Sequence, residues 1–151
     1  WDHSSSRQVD WLSGSFLLIE NKIFKEAGGF DPDYFMYSED TALCLDLVRM
    51  NYRNYYYPYY VVEHADAGIA SRDRASREVQ IWQSRRTYFR KNHSAAHGAA
   101  FSLIYLTGIL NRIIVFGAGS IFSKNSGIRA ASYLRALYIY YCKRRQDDSK
   151  V

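Results

Sequence analysis

Two adjacent carboxylates, Glu39 and Asp40, stand at the head of the apolar run "YFMYSEDTALCLDL". A carboxylate at the start of a helix can act as a general base when the helix holds it rigidly beside a reacting hydroxyl. Acids in the first turn of a helix are also favoured by the helix dipole, without any function. The pair alone leaves both interpretations open, so the neighbouring elements must decide between them.

Two further side chains have types that suit a sugar site or a metal site. Trp11, in "DWLSG", is either a core aromatic at the start of a strand or a flat platform for a sugar ring. His64 follows an apolar strand, and it is either a surface residue or one ligand of a divalent metal. His93 and His97 have a helical spacing, but no acid lies near them in the sequence, and we discount them as a metal site.

The first 65 residues predict strands and helices in the order strand, helix, helix, strand. This order favours an α/β layer architecture, in which a loop that leads into a helix is a usual place for a ligand crevice. Gly14 lies inside the first predicted strand and marks a bulge or a close approach. The predicted elements are a strand at 9–19, a short helix at 20–30 that ends at Gly28-Gly29, a loop at 31–37, a helix from the N-cap Ser38 to Met50, and a strand at 52–64.

The second half of the chain predicts helices of a different character. A basic helix at 76–92 is followed by a soft linker of small residues at 93–100 and by an apolar run at 101–122 whose one charge is Arg112. The apolar run is long enough to span a membrane, but a central arginine costs a few kcal/mol there, so spanning, interfacial and buried soluble helices all stay open. The tail "RAASYLRALYIYYCKRR" is a second amphipathic candidate, and its aromatic and basic residues suit a headgroup interface.

Charge is distributed unevenly along the chain, whose net charge is +5. Residues 1–71 carry eleven acidic and five basic residues, whereas residues 72–151 carry four acidic and fifteen basic ones. A basic surface of this kind faces an anion: a nucleotide phosphate, a nucleic acid or an anionic membrane. A nucleic acid is the weakest of the three, because the tyrosine cluster "YYYPYY" lies in the acidic part, away from the arginines.

The start of the chain and its cysteines bear on its context. The chain begins at Trp1 in a polar stretch without a secretory signal, which we interpret as the start of a fragment. Cys44 and Cys142 lie in apolar or aromatic runs without metal or redox spacing, so we expect inert thiols and a reducing compartment.

Taken together, the motifs in residues 9–92 resemble the C-terminal half of the catalytic domain of family 2 glycosyltransferases. The resemblance is strongest to the rhamnosyltransferase-like branch, which acts in bacterial surface polysaccharide assembly. Each motif alone is weak, and their order makes the combination specific. The motifs are W-x-x-G at Trp11 to Gly14, G-G-F-D at Gly28 to Asp31, E-D at Glu39-Asp40 with Leu43-Cys44 behind it, a strand from Val61 that ends in His64, and the basic aromatic stretch "RRTYFRKNH".

This resemblance implies a GT-A fold and an inverting transfer of a sugar from a nucleotide-sugar donor to a glycan or lipid-linked acceptor. Asp40 would be the general base that takes the proton of the acceptor hydroxyl. Glu39 would orient the site or hydrogen-bond the acceptor, and Trp11 would flank the acceptor pocket. His64 would join a Mg²⁺ or Mn²⁺ ion that neutralises the leaving diphosphate.

The remaining candidate binding residues have a weaker basis. Gly14 and Asp31 are assigned to substrate binding as parts of their motifs. From charge alone, Arg72 and Arg74 could hold a diphosphate, and a solvated face explains them equally well. The turn after the histidine, "HADAGIAS", departs from the tighter glycine-rich turn of the family, which leaves the metal geometry open.

The predicted organisation is an acceptor-side half of a GT-A domain at 1–98 and a helical, membrane-associating tail at 99–151. The family's nucleotide-binding half, with its D-x-D metal motif, is absent: no D-x-D precedes residue 31, and "DPD" at 31–33 follows G-G-F and belongs to the acceptor-side loop. We therefore expect the chain alone to be inactive. We expect the parent protein at the cytoplasmic face of the cell membrane, bound to anionic lipid peripherally or anchored through 101–122. The alternative function is a non-catalytic, peripheral membrane-binding module.

Overall fold

The computed structural model describes residues 1–63 and 74–148, with side chains described as far as Tyr141. About 60% of the chain is helical, with one small two-stranded sheet, so the predicted α/β layer and the GT-A fold are not seen among the described residues. The chain divides into two compact units, Trp1–Asp66 and Ala67–Val151. The elements are β1 (Arg7–Val9), α1 (Asn21–Glu26), α2 (Glu39–Arg49), β2 (Asn54–Tyr56), α3 (Arg74–Asn92), α4 (Ala95–Gly119) and α5 (Lys124–Asp148).

The sheet of the first unit is much smaller than the sequence predicts. β1 pairs with β2 in antiparallel register, with Arg7 opposite Tyr56 and Val9 opposite Asn54. The strand predicted at 9–19 is therefore wrong, and the strand predicted at 52–64 is reduced to three described residues. A strand needs a hydrogen-bonding neighbour along its length. Within the described residues, β2 supplies that neighbour over three positions, and the chain beyond Val9 is irregular.

The short helix α1 ends where its glycines predict. Gly28 and Gly29 both have left-handed backbones, with φ of 82° and 73°, a conformation that side chains with a Cβ disfavour. The rings of Phe24 and Phe30 then meet edge to face, with centroids 5.6 Å apart. The G-G-F-D motif thus folds the chain back over α1 and leads into the loop before α2.

Helix α2 confirms the predicted second helix to within a residue at each end. Its buried face consists of Ala42, Leu43, Cys44 and Leu47, spaced so that they share one side of the helix. On the wet side, the Arg49 guanidinium contacts the Asp46 carboxylate at 3.1 Å, as an exposed pair one turn apart. The helix is therefore a rigid, amphipathic support for the residues at its start.

A buried asparagine holds the irregular segment after β1 against this helix. Asn54, in β2, is 6% exposed, and its Nδ2 donates to the backbone carbonyl of Asp10 at 3.0 Å and to that of Cys44 at 3.1 Å. Because one amide satisfies carbonyls of two different segments, it fixes their separation. An open cleft of about 290 Å³ lies beside it, lined mainly by apolar side chains that include Leu17, Ile23 and Leu47.

The second unit is a bundle of α3, α4 and α5, in which each helix contacts the other two. Its core contains Ala75 and Val79 of α3 and Ala136 of α5. Trp82 is buried beside them, with its ring 4.0 Å from that of Tyr140. The predicted basic helix is thus confirmed as α3, and its apolar stripe is core.

One predicted segment in this half differs from the structure. The soft linker predicted at 93–100 is wrong, because α4 begins at Ala95 and runs on through the apolar stretch. The structural division falls after residue 66, and α3 packs on α4 and α5 rather than forming one unit with the first 66 residues. The functional boundary at residue 98 stays a prediction.

Helix α4 is long and apolar enough to cross a membrane by length and composition, the one such helix in the described part of the chain. In its most apolar window of 18 residues, with a mean hydropathy of 1.8, only 6% of the residues are buried. Core helices of soluble proteins pass the same test, but they are mostly buried. The exposure of α4 therefore calls for an explanation.

We predict that Asn54→Ala lowers the free energy of unfolding by about 2 kcal/mol, because two backbone carbonyls lose their donor. Chemical denaturation of the purified protein measures this loss. Asn21→Ala, at an exposed position, is the matched control and should change stability by less than about 0.5 kcal/mol. Equal effects of the two substitutions would contradict the role given to Asn54.

Candidate functional site

The Asp40 carboxylate lies in the first turn of α2 and is held on both oxygens. The backbone N–H of Gly14 donates to Oδ2 at 2.8 Å. The backbone N–H and the hydroxyl of Thr41 donate to Oδ1, at 2.7 and 3.2 Å. A carboxylate oxygen has two lone pairs, so Oδ1 is fully engaged by its two donors, whereas Oδ2 can still accept a further hydrogen bond. The carboxylate is therefore fixed in orientation and remains able to receive a proton.

Gly14 reaches Asp40 because the segment after β1 passes close to the start of α2. A Cβ built on Gly14 would lie 3.4 Å from the Cβ of Asp40 and 3.5 Å from its Oδ2. The prediction that Gly14 marks a close approach is thus confirmed. The W-x-x-G and E-D motifs, which stand 26 positions apart, meet at this hydrogen bond.

Cys44 lies one turn along α2 from Asp40 and is almost completely buried. Burial raises the pKa of its thiol, and the nearby Asp40 charge raises it further, while a hydrogen bond with the Leu12 backbone opposes both. A thiol of raised pKa stays protonated and is a poor nucleophile. Cys44 therefore packs the segment 10–14 against α2, as the prediction of an inert thiol requires; the side chain of Cys142 lies outside the described residues.

Glu39 is half-buried, and its Oε2 is shielded from solvent with no hydrogen-bond partner among the described residues. A shielded carboxylate oxygen without a donor is unfavourable. Glu39 thus differs from Asp40, whose two carboxylate oxygens both accept hydrogen bonds from the protein.

The backbone just before the two acids is left-handed at two consecutive residues. Tyr37 has a φ of 69° and Ser38 a φ of 66°, values that residues with a Cβ adopt at a cost of about 1 kcal/mol or more each. The predicted capping by Ser38 is wrong in its detail, since its side chain makes no capping hydrogen bond. Such a cap requires an extended backbone at the N-cap, and here the turn that aims Glu39 and Asp40 occupies that position.

The other predicted site residues have more varied positions. Trp11 lies in the same segment as Gly14 with its side chain 52% exposed, so its ring is available to a ligand. Asp31 organises the loop: its Oδ1 accepts from the Asp33 N–H at 3.0 Å, and its carbonyl accepts from the Tyr34 N–H at 3.1 Å. Arg74 is exposed and begins α3 in the second unit. His64 and Arg72 lie outside the described residues.

Thr41 and Asn54 are the residues of this region that sequence reasoning missed. A hydroxyl directly after an acid pair was a usable signal, because it can donate back to the carboxylate. An asparagine inside a Tyr- and Val-rich stretch was another, because a buried amide must find partners. The strained pair Tyr37-Ser38 gave no signal, since neither residue type is typical of a left-handed backbone.

The described residues contain no group of three or more His, Cys, Asp or Glu side chains that could hold a metal ion. Asp40 and Glu39 are adjacent, but both carboxylate oxygens of Asp40 already accept hydrogen bonds, from Gly14 and from Thr41. The described part of the chain therefore does not fit a complete metal site.

Comparisons with known proteins find curated rhamnosyltransferases that are similar to this chain. The chain is 39% identical over 90 residues to the N-acetylglucosaminyl-diphospho-decaprenol L-rhamnosyltransferases of two Mycobacterium tuberculosis strains, a match over 60% of this chain and 29% of theirs. It is 43% identical over 60 residues to the rhamnosyltransferase WbbL of Escherichia coli, over 40% of this chain and 23% of that protein. No protein-family profile and no solved structure matches.

The chain is thus related to rhamnosyltransferases, and the resemblance drawn from its motifs is confirmed at that level. It spans less than a third of the length of the curated relatives it matches.

We predict that Ser38→Gly raises the free energy of unfolding by about 1 kcal/mol, because glycine relieves the left-handed strain at this position. Thermal or chemical unfolding measures the change. Ser5→Gly is the control, since Ser5 is exposed and its φ is not positive, and it should bring no gain. A loss of stability in Ser38→Gly would contradict the strained geometry described for the turn.

Proposed function

We propose that the chain carries the acceptor-side part of an inverting glycosyltransferase. The enzyme would move a sugar, with rhamnose the first candidate, from a nucleotide-sugar to a glycan or lipid-linked acceptor in cell-surface polysaccharide synthesis. The observation that carries the proposal is the Asp40 carboxylate, which Gly14 and Thr41 hold at the start of α2 in a chain related to rhamnosyltransferases. Glycosyl transfer needs such a fixed base.

In the proposed mechanism, Asp40 accepts the proton of an acceptor hydroxyl placed about 2.6–3.2 Å from one of its oxygens. The hydroxyl oxygen attacks the anomeric carbon of the donor sugar from the side opposite the diphosphate. The new bond from that oxygen to the anomeric carbon forms as the bond from the anomeric carbon to the diphosphate oxygen breaks. The diphosphate leaves with the bonding electrons, the proton stays on Asp40, and the configuration at the anomeric carbon is inverted.

The hydrogen bonds to Asp40 suit this task because they orient the carboxylate before the reaction starts. A carboxylate that must first reorient loses part of the advantage of proximity. The N–H groups of Gly14 and Thr41 fix the plane of the carboxylate, and the Thr41 hydroxyl adds a third donor. We propose that this arrangement directs a free lone pair of Asp40 toward the acceptor.

Three neighbouring residues would bind the acceptor. Glu39, next to the proposed base, would orient the site or accept a hydrogen bond from a second acceptor hydroxyl, on the basis of the family resemblance. The exposed ring of Trp11 would stack on the apolar face of a sugar. Asp31 would contribute by shaping the loop that its own hydrogen bonds hold.

For the donor, we propose that Arg72 and Arg74 contact the diphosphate, on the basis of their charge. A divalent cation, Mg²⁺ or Mn²⁺, would neutralise the leaving diphosphate, with His64 as one ligand, on the basis of the family resemblance. The described residues do not fit a complete metal site, so no step of the proposed mechanism depends on a described ligand of the ion.

We further propose that the protein works at the cytoplasmic face of the cell membrane. The support is α4, whose apolar residues are mostly exposed, and the excess of basic residues in the second half of the chain. The same exposure supports a second candidate function, a non-catalytic module that binds membranes and uses Glu39 and Asp40 only to start a helix.

Replacement of the proposed base decides between the two functions. In the full-length protein, we predict that Asp40→Asn lowers the rate of sugar transfer by about 10²–10⁴-fold, because an amide cannot take the proton. Asp46→Asn is the matched control: it lies on the same helix, makes only an exposed pair with Arg49, and should leave the rate within about twofold. Transfer by Asp40→Asn at the rate of the unsubstituted protein would remove Asp40 as the base, whereas absence of transfer by the unsubstituted full-length protein would support the non-catalytic module.

Chelation tests the proposed cation. We expect EDTA to abolish sugar transfer by the full-length protein and added Mg²⁺ or Mn²⁺ to restore it, because the leaving diphosphate would lose its neutralising charge. His64→Ala should raise the cation concentration that gives half of the maximal rate. Full activity in EDTA would remove both the cation and the role of His64 from the proposal.

A further inference from the structure

Helix α4 presents an apolar face, interrupted by the exposed Asn111, that the described residues of the second unit do not cover. Of its 25 residues, Ile109 is the buried one. The exposed aliphatic residues recur at spacings of four, seven and eleven, which places them on one side of a helix. They are Leu103, Ile104, Leu110, Ile114 and Val115, and Ile121 and Phe122 extend the set beyond the end of the helix.

A polar residue on this face is already satisfied within the helix. The Thr107 hydroxyl lies within hydrogen-bond distance of the Leu103 and Ile104 carbonyls, at 3.0 and 2.9 Å. It therefore needs no water, and it can enter an apolar surrounding at little cost. The side of α4 that faces away from the bundle is thus suited to contact with hydrocarbon.

The arginine of α4 is directed to the other side of the helix. The Arg112 guanidinium stacks on the ring of Tyr133 in α5, 5.8 Å from its centroid. Tyr133 in turn stacks on Phe116 of α4, with centroids 6.0 Å apart and planes 9° apart, and Arg129 covers Phe116 at 5.5 Å. This ladder of two cations and two rings joins α4 to α5 and keeps Arg112 out of the apolar face.

The packing of the unit argues against a crossing of the membrane by α4. Helices α3 and α5 both contact α4, so a crossing α4 would carry them into the hydrocarbon. Each arginine or lysine at the centre of a membrane costs about 2.5–3.5 kcal/mol even on the most lenient scale. The exposed cations that would enter include Arg77, Arg85, Arg86 and Arg90 on α3 and Arg129 and Arg135 on α5.

We propose that α4 lies flat in the headgroup region of an anionic membrane, with its outward face against the acyl chains and Ile121 and Phe122 inserted at its end. The charge of this half, fifteen basic and four acidic residues over 72–151, selects an anionic lipid. The same charge disfavours a second copy of the chain on this face, because two basic bundles would repel. The inference rests on the proposed membrane location and adds its orientation and lipid class.

Two matched substitutions in the full-length protein test the face. Leu110 on α4 and Leu134 on α5 are 50% and 55% exposed, so each can be replaced by Asp without opening the core. In flotation with vesicles of phosphatidylcholine and phosphatidylglycerol, Leu110→Asp should weaken binding at least about tenfold and Leu134→Asp less than about twofold. Circular dichroism verifies that both variants fold, and Ile114→Ser gives a milder second probe of the same face.

The orientation of α4 and the lipid class are measured separately. If α4 lies flat, alkaline carbonate should release the protein from cell membranes. If the lipid is anionic, vesicles of phosphatidylcholine alone, or high salt, should reduce binding. Equal losses in Leu110→Asp and Leu134→Asp, or resistance to carbonate, would overturn the flat α4 while leaving the membrane location in place. Conversion of a dimer to a monomer by Leu110→Asp, with vesicle binding unchanged, would overturn it in favour of a second copy.

Absence of binding to either kind of vesicle would overturn the membrane location together with this inference. The assay of sugar transfer is independent of all these outcomes. Loss of transfer in Asp40→Asn would support the proposed enzyme even if α4 contacts no lipid.

Discussion

The hydrogen bond from the Gly14 N–H to Asp40 Oδ2 is the contact on which the candidate site depends. It joins an irregular segment that has few hydrogen-bonded neighbours to the rigid start of α2. Asn54 of β2 hydrogen-bonds the same segment at Asp10, and the Cys44 thiol of α2 forms a hydrogen bond with the Leu12 backbone. The segment is therefore held at several residues by α2 and by β2. Since the described residues form no long sheet beside residues 10–20, these few polar contacts fix the carboxylate instead.

The sequence predicted the elements whose causes are local. Gly28 and Gly29 end α1 because they supply left-handed backbone, and the apolar spacing of Leu43 and Leu47 gives α2 its buried face. Gly14 was recognised as a place of close approach, although its partner was not. These features follow from the chemistry of a few neighbouring residues, which is the reason that the sequence alone could predict them.

The features that the sequence could not predict depend on contacts with other elements, or on residues whose types favour more than one structure. A strand at 9–19 has the right residue types, but the described neighbour is three residues long. The small residues "HSAAHGAA" suggested a linker, yet alanine is the strongest helix former, and α4 begins among them. Arg112 counted against a membrane-spanning helix in the sequence, and the structure shows it stacked on Tyr133, away from the exposed aliphatic face.

The two units thus pose different problems of exposure. In the first unit, Oε2 of Glu39 is shielded and accepts no hydrogen bond from the described residues. In the second, the described residues leave an apolar face of α4 exposed, which is unfavourable in water. Contact with lipid would remove that cost, and a membrane is the partner proposed for this face.

A structure of the full-length protein with a bound acceptor tests the central claim most directly. The account predicts an acceptor hydroxyl within about 2.6–3.2 Å of an Asp40 carboxylate oxygen, with the Gly14 and Thr41 bonds to that carboxylate kept. An acceptor bound with its hydroxyls remote from Asp40, or an Asp40 turned away to complete a helix cap, would contradict it.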